Sequence, residues 1–168
     1  MKKLTHLLVA PAVGVALLAG CSPNGATAAI VNDVVIPEAR VSSYADGCAT
    51  MVQGDGSDAQ KAAAVRPQML KWAILGEMSR QQSESVGGPT DEEMRAYVNE
   101  AGLAQLLTDP DCAEAALGVA RHDLIALNAG ADYASYFGSF DVELNPRYGQ
   151  WDPAELEAVG SGSLSVPV

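Results

Sequence analysis

The sequence predicts a mainly α-helical domain closed by a small three-stranded antiparallel sheet, an N-terminal hairpin plus a C-terminal strand. Three observations predict it. Between residues 38 and 128, apolar residues recur at three- and four-residue steps, the period of helices that bury one face. Strand-like runs occur only on either side of that stretch, at 29–36 and 142–144. An isolated two-strand ribbon is not stable in water, so the late strand is expected to return and pair with the hairpin.

The hairpin opens with Ala29-Ile30-Val31, turns at Asn32-Asp33 and resumes with Val34-Val35-Ile36. Pro37 suits the first position of a helix. Along that helix Val41, Tyr44, Ala45, Cys48, Met51 and Val52 mark the apolar face; Gly47 weakens it, and Gly54-Asp55-Gly56 ends it. Ser57 with Gln60 forms a capping box for a second helix running to about Glu84. Its recurrent face is Ala59, Ala62, Ala63, Met69, Leu70, Ala73, Ile74, Glu77 and Met78, with Glu77 the one polar intruder. Pro67 removes the bond to the Ala63 carbonyl, and one kinked helix is expected because the periodicity resumes directly after it.

After the loop Val86-Gly87-Gly88-Pro89, Thr90 and Glu93 make a second capping box, with Asp91, Glu92 and Glu93 in the first turn where the helix dipole favours acid. Capping accounts for these three carboxylates without a metal. Met94, Tyr97, Val98 and Ala101 form the buried face, and Leu103, Leu106 and Leu107 continue it. Asp109-Pro110 starts the last long helix, with Gly130 as its stop. Cys112, Ala116, Val119, Ala120, Leu124 and Leu127 are its expected inner face, and Tyr133, Tyr136 and Phe137 cluster after it. Val142 and Leu144 alternate with Asp141, Glu143 and Asn145, a half-buried strand that Pro146 ends. Residues 147–152 read as a turn carrying Tyr148 and Trp151, and 153–168 as a flexible tail.

The first twenty residues read as an address. Lys2 and Lys3 precede a 14-residue apolar run, Leu7 to Gly20, too short to span a bilayer but suited to a signal peptide. Leu18-Ala19-Gly20-Cys21 resembles a bacterial lipobox. That resemblance implies removal of residues 1–20 and a diacylglyceryl group on Cys21; the alternative is an ordinary signal peptide with an incidental cysteine. Residues 21–28 then read as a short tether, and 29–152 as a single domain. The expected location is the extracytoplasmic face of the cell membrane, lipid-anchored.

The chain carries a net charge of −11, and without Lys2 and Lys3 it is −13. So acidic a surface argues against nucleic acid and against a polybasic grip on anionic lipid. Membrane attachment is therefore assigned to the acyl anchor. Beyond Cys21 the cysteines are Cys48 and Cys112. Export favours a disulfide between them, closing a loop of about 65 residues worth roughly 4 kcal/mol. Two buried thiols or a metal site are the alternatives, and metal-ligand spacing is missing.

The order of parts resembles the N-terminal domain of SurA-type and PrsA-type periplasmic foldases, where a hairpin of the form A-x-V-N-G-x-x-I feeds a helix, helices follow and a late strand returns. Residues 29–36 match that opening, with Asp33 where glycine is usual. The helix Met69 to Met78 followed by "GGPTDEEM", Gly87 to Met94, is similar to the same domain, and "LNPRYGQWD", Leu144 to Asp152, resembles the end of actinobacterial lipoproteins grouped with it. The foldases carry parvulin domains between the helices and the returning strand, and residues 129–138 leave no room for one. The resemblance therefore implies a chaperone-like protein that binds unfolded or exported polypeptides without prolyl isomerase activity, and a possible homodimer by swapping of the terminal strand.

No catalytic constellation emerges. His122 is the one imidazole after residue 20; it lies beside Arg121 and Asp123 and reads as part of a solvated face. No phosphate-binding glycine loop or metal spacing appears, so no cofactor and no enzyme are expected. Client binding needs adaptable apolar surface, a role suited to methionine. The candidates are Met69, Trp72 and Met78, with Tyr148 and Trp151 as a second patch; each set also reads as core or as cover for the sheet edge. A structural or accessory envelope lipoprotein with one folded partner is the alternative function.

Overall fold

The structure, a computed structural model, describes residues 25–160. Two β-strands, β1 (Thr27–Val31) and β2 (Val34–Pro37), lead into helix α1 (Glu38–Ala49). Helices α2 (Asp58–Val86), α3 (Asp91–Glu100), α4 (Pro110–Ala129) and the short α5 (Tyr133–Phe137) follow, then strands β3 (Val142–Leu144), β4 (Gln150–Asp152) and β5 (Glu157–Val159). The main sheet has the order β2-β1-β3, antiparallel throughout, so the late strand does pair with the hairpin. Ala29, Ile30 and Val31 face Leu144, Glu143 and Val142 in register. The partner of β3 is its own chain's β1.

The hairpin turn is the two residues Asn32-Asp33, since Val31 pairs with Val34. Only Asn32 takes the left-handed conformation, φ 53°. Asparagine tolerates that region, and Asp33 is spared it, so the missing glycine costs the turn little. Asn32 is also held from outside: its N–H donates to the Asp141 carbonyl (2.7 Å), its side-chain oxygen accepts from Asp141 N–H (3.1 Å), and its side-chain amide donates to Gln81 Oε1 (2.7 Å).

Both expected capping boxes form, at Ser57–Gln60 and Thr90–Glu93, and Asp109 caps α4 through Oδ1. The helix α2 is one helix through Pro67. Pro67 and Ala63 are exposed, so water can take the orphaned carbonyl and the interruption costs less than it would in a core. The first helix stops at Ala49, five residues before Gly54.

The core is formed where α1, α2 and α4 pack on one another and on β1; Val31, Ile36, Val41, Leu70, Ile74, Met78, Cys112 and Phe137 are its largest fully buried apolar side chains. The helices α2 and α4 cross at Gly76 and Gly118, where a Cβ built on Gly118 would lie 3.0 Å from the Gly76 Cα. Gly47 has a similar role: a Cβ there would meet Asp109 Oδ1 at 2.2 Å. The residue that weakens α1 thus makes room for the cap of α4.

Two expectations need correction. The inner face of α4 is not the stripe ending at Leu127: Leu127 is 69% exposed, while Ala113, Ala115, Gly118, His122 and Ile125 are buried. The helix packs against α1, α2 and α3 together, so no single stripe describes it. The flexible tail does not begin at 153, because β5 pairs with β4 in register and Leu156, in the left-handed conformation, packs into the main core. Residues 161–168, the rest of that tail, and residues 1–24, which hold the signal peptide, Cys21 and most of the tether, lie outside the described residues.

Candidate functional site

Cys48 on α1 and Cys112 on α4 form a disulfide, Sγ–Sγ 2.06 Å, buried in the core. The bridge joins two helices that already pack together, next to the Gly47–Asp109 approach. The open-thiol and metal alternatives for this pair end there. Among the described residues no group of His, Cys, Asp and Glu side chains is arranged to hold a metal ion, and no helix is long and apolar enough to cross a membrane.

The methionines are core. Met69 is 3% exposed and Met78 0%, so neither offers the adaptable surface expected of it. Their recurrence at helical spacing reflected burial against α1 and β1, the ordinary reason for such a stripe. Trp72 is half-buried at the edge of the core and lines surface pockets on two sides of α2.

Tyr148 belongs to a polar cluster. Its hydroxyl donates to Glu38 Oε1 and accepts from Arg66 Nε (3.2 Å). The Arg66 Nη2 donates to Glu38 and to Ser42 Oγ (3.0 Å), and Arg147 Nη2 lies 2.6 Å from Glu38 Oε2. Burial pushes the Glu38 carboxyl up, but the Tyr148 hydroxyl and the two guanidiniums outweigh it and leave it below the ordinary range. The cluster fastens the segment after β3 to the start of α1 and to α2. Tyr148 is therefore a fastener, and its hydroxyl is occupied.

Glu77, the polar intruder on the α2 stripe, has a comparable explanation. Its side chain is 5% exposed. Arg80 grips both carboxylate oxygens (2.9 and 2.6 Å), and Gln81 donates to one of them (2.8 Å) and to the Val31 carbonyl (3.2 Å). Burial raises the Glu77 carboxyl, and the bonds from Arg80 and Gln81, with the charges of Arg80 and Arg40, lower it further than burial lifts it. Through Gln81 and Asn32 this network ties the hairpin turn to α2.

His122 is not on a solvated face. It is 7% exposed, with Nδ1 2.9 Å from Asp123 Oδ1, Nε2 3.3 Å from the Tyr133 hydroxyl, and its ring 4.6 Å from that of Phe137. Tyr97 donates to the second Asp123 oxygen (3.1 Å). The aromatic residues of α5, which begins 11 residues further along the chain, cover the imidazole; the helical periodicity around residue 122 does not signal them.

The geometry that suits a binding partner lies at β3. Asn145 N–H donates to the Ala28 carbonyl and Asn32 N–H to the Asp141 carbonyl, so in the antiparallel ladder Val142 and Leu144 turn their backbone groups away from β1. Among the described residues no strand pairs with that outer edge. The edge opens on a groove of about 730 Å³ between β3 and the β4–β5 hairpin, lined by Val142, Leu144, Pro146, Trp151 and Val159. The Trp151 indole N–H is buried and has no hydrogen-bond partner among the described residues. Of the expected patch, Trp151 thus lines an open groove and Tyr148 does not. A second cleft of about 480 Å³ lies between the Val86–Pro89 loop and α4, walled by Leu124, Ile125 and Tyr136.

Comparison with family models, with curated proteins and with solved structures finds no match to this chain.

Proposed function

We propose that the chain is a membrane-anchored extracytoplasmic protein that binds extended polypeptide segments in a chaperone-like way, without isomerase activity and without a cofactor. One observation supports this reading: among the described residues no strand pairs with the outer edge of β3, which faces a groove with apolar walls. An open edge offers backbone donors and acceptors to any extended chain, and flanking apolar side chains add affinity without demanding one sequence. The resemblance to foldase N-terminal domains points the same way, and the short stretch from Gly130 to Asp141 joins helix to strand with no catalytic insert. The anchor, if Cys21 is acylated, would hold the groove where exported chains emerge.

A second reading, an accessory lipoprotein with one folded partner, is favoured by the burial of Met69 and Met78. A disulfide-bonded domain whose α2 methionines are both inside presents a more rigid surface there, better suited to one shape than to many.

The test removes one backbone donor. The Val142 N–H points outward, so Val142→Pro deletes it while leaving the ladder to β1 intact. The wild-type protein should slow aggregation of a denatured exported protein without ATP, and Val142→Pro should do so distinctly less while melting at a similar temperature. No suppression by the wild type at several-fold molar excess would sink the reading. Recovery of one stoichiometric partner from solubilised membranes would favour the accessory role.

A further inference from the structure

The register of β3 decides which of its side chains an added strand would meet. Glu143 pairs with Ile30 of β1. The bonds from Asn32 N–H to the Asp141 carbonyl and from Asn145 N–H to the Ala28 carbonyl bracket that pair, so in the alternating ladder Glu143 spends its own backbone groups on β1. A strand added antiparallel on the outer side would bond to Val142 and Leu144 and face Glu143 in a pair without hydrogen bonds. Facing residues come closest in such a pair, with Cα atoms about 4.5 Å apart, so the charge opposite Glu143 counts most.

Glu143 is exposed and is the one charged side chain among the described residues that line the groove. Among the described residues no cation pairs with it. The opposite wall has the same sign. Gln150 and Val159, which line the groove, face each other across the β4–β5 ladder, and two residues further along each strand, on the same side, Asp152 faces Glu157. Like charges directly opposite each other destabilise a ladder, and neither of these has an ion pair among the described residues. Arg147, the one cation in residues 141–160, is already held by Glu38.

These charges choose between occupants. A second copy of this chain is a poor one, because two β3 strands paired antiparallel about their centres would set Glu143 against Glu143 in the close pair. A charge on an edge strand is a common guard against such self-pairing. An acidic segment meets the same repulsion, and a basic side chain removes it.

We propose that the β3 edge takes extended segments in which lysine or arginine stands between two apolar residues, the basic side chain opposite Glu143 and the apolar ones opposite Val142 and Leu144. This rests on the reading of the β3 groove as a peptide site and adds the class of segment that fits it.

The test uses three labelled heptapeptides, blocked at both ends, of the form Thr-Thr-Val-Xaa-Val-Thr-Thr with lysine, glutamine or glutamate at the centre. Their binding to the full chain is followed by fluorescence anisotropy at low ionic strength, where a surface charge pair is least screened. The lysine peptide should bind at least about fivefold tighter than the glutamate peptide, with glutamine between them. Glu143→Lys should reverse that order. Glu100→Lys, the same charge change on α3, should keep it; both side chains are exposed, so both variants should melt like the wild type. Equal binding of the three peptides, with Val142→Pro weakening all of them, would overturn the basic class and leave the groove standing. A lysine preference that survives Glu143→Lys, or is lost with Glu100→Lys, would overturn it too, since attraction to an acidic chain as a whole would then explain the preference. No saturable binding of any peptide would overturn both the class and the peptide reading of the groove.

Discussion

Replacing Gly118 by alanine should destabilise the protein even though alanine is the better helix former. The substitution sets two opposed effects against each other. In an exposed helix the change would gain about 1 kcal/mol of propensity. Here the new Cβ would stand 3.0 Å from the Gly76 Cα, whereas carbon atoms rest at about 3.5–4.0 Å. The obstacle is the backbone of α2 and not the end of a flexible side chain, so relief requires moving one helix against the other. That motion also stretches the bond from the buried Ser79 hydroxyl to the Gly118 carbonyl, now 3.2 Å. Overpacking of this kind costs about 1–3 kcal/mol, which exceeds the propensity gain over most of its range. A net loss of about 1 kcal/mol should lower the melting temperature by roughly 2–4 °C in a chain of this length. Gly76→Ala, with its Cβ at 3.3 Å from the Gly118 Cα, should lose less. Calorimetric melts of the three proteins decide it. An unchanged or raised melting temperature for Gly118→Ala would refute the claim that this helix crossing is closed by backbone contact.

The disulfide closes a loop over a sequence separation of 64, so Cys48→Ser/Cys112→Ser should cost roughly 4 kcal/mol by loop-closure entropy, read as the shift in urea midpoint at constant slope; a shift no larger than that of an ordinary surface substitution would contradict the estimate. The carboxyls of Glu38 and Glu77 are both lowered in the folded protein, so their contribution is fully present above the unfolded carboxylate value of about 4.3 and is lost as pH falls through the lower native values. Glu38→Gln should therefore be less stable than wild type at pH 7, and the gap should close towards pH 3. A gap independent of pH would show that the carboxylate charge is not what Arg66 and Arg147 recognise.

Much of the fold was legible because its signals are local. Capping boxes lie within four residues, and Ser57–Gln60 and Thr90–Glu93 form as read. The pairing of β3 with β1 followed from the unmet edge of the hairpin, a global constraint that needs no alignment. Other features depend on what lies across space. The exposure of Leu127 and the burial of His122 follow from where α1, α3 and α5 approach α4, and helical period alone is blind to a second or third neighbour. The hairpin of β4 and β5 was missed because Glu157–Val159 is only three residues, all exposed, and lacks an apolar alternation. Its fixed point, Leu156, is one residue. Met69 and Met78 show the opposite hazard: a stripe that suits a binding groove equally suits a core, and here the core took it.

The position of β1 in the sheet has a mechanical consequence. The first described residue, Gly25, is separated from β1 by Ala26 alone, and β1 lies between β2 and β3, antiparallel to both. Any tension arriving through the chain before Gly25 enters the domain along β1. Bonds in antiparallel ladders run perpendicular to the strands, so this pull loads both ladders in shear, together, instead of peeling one strand from an edge bond by bond. The Arg147 guanidinium, which reaches the Gly25 carbonyl at 3.4 Å, and the Glu38 cluster behind it sit at the same end and share the load. A load applied at Gly25 along the strand would therefore have to break two ladders at once.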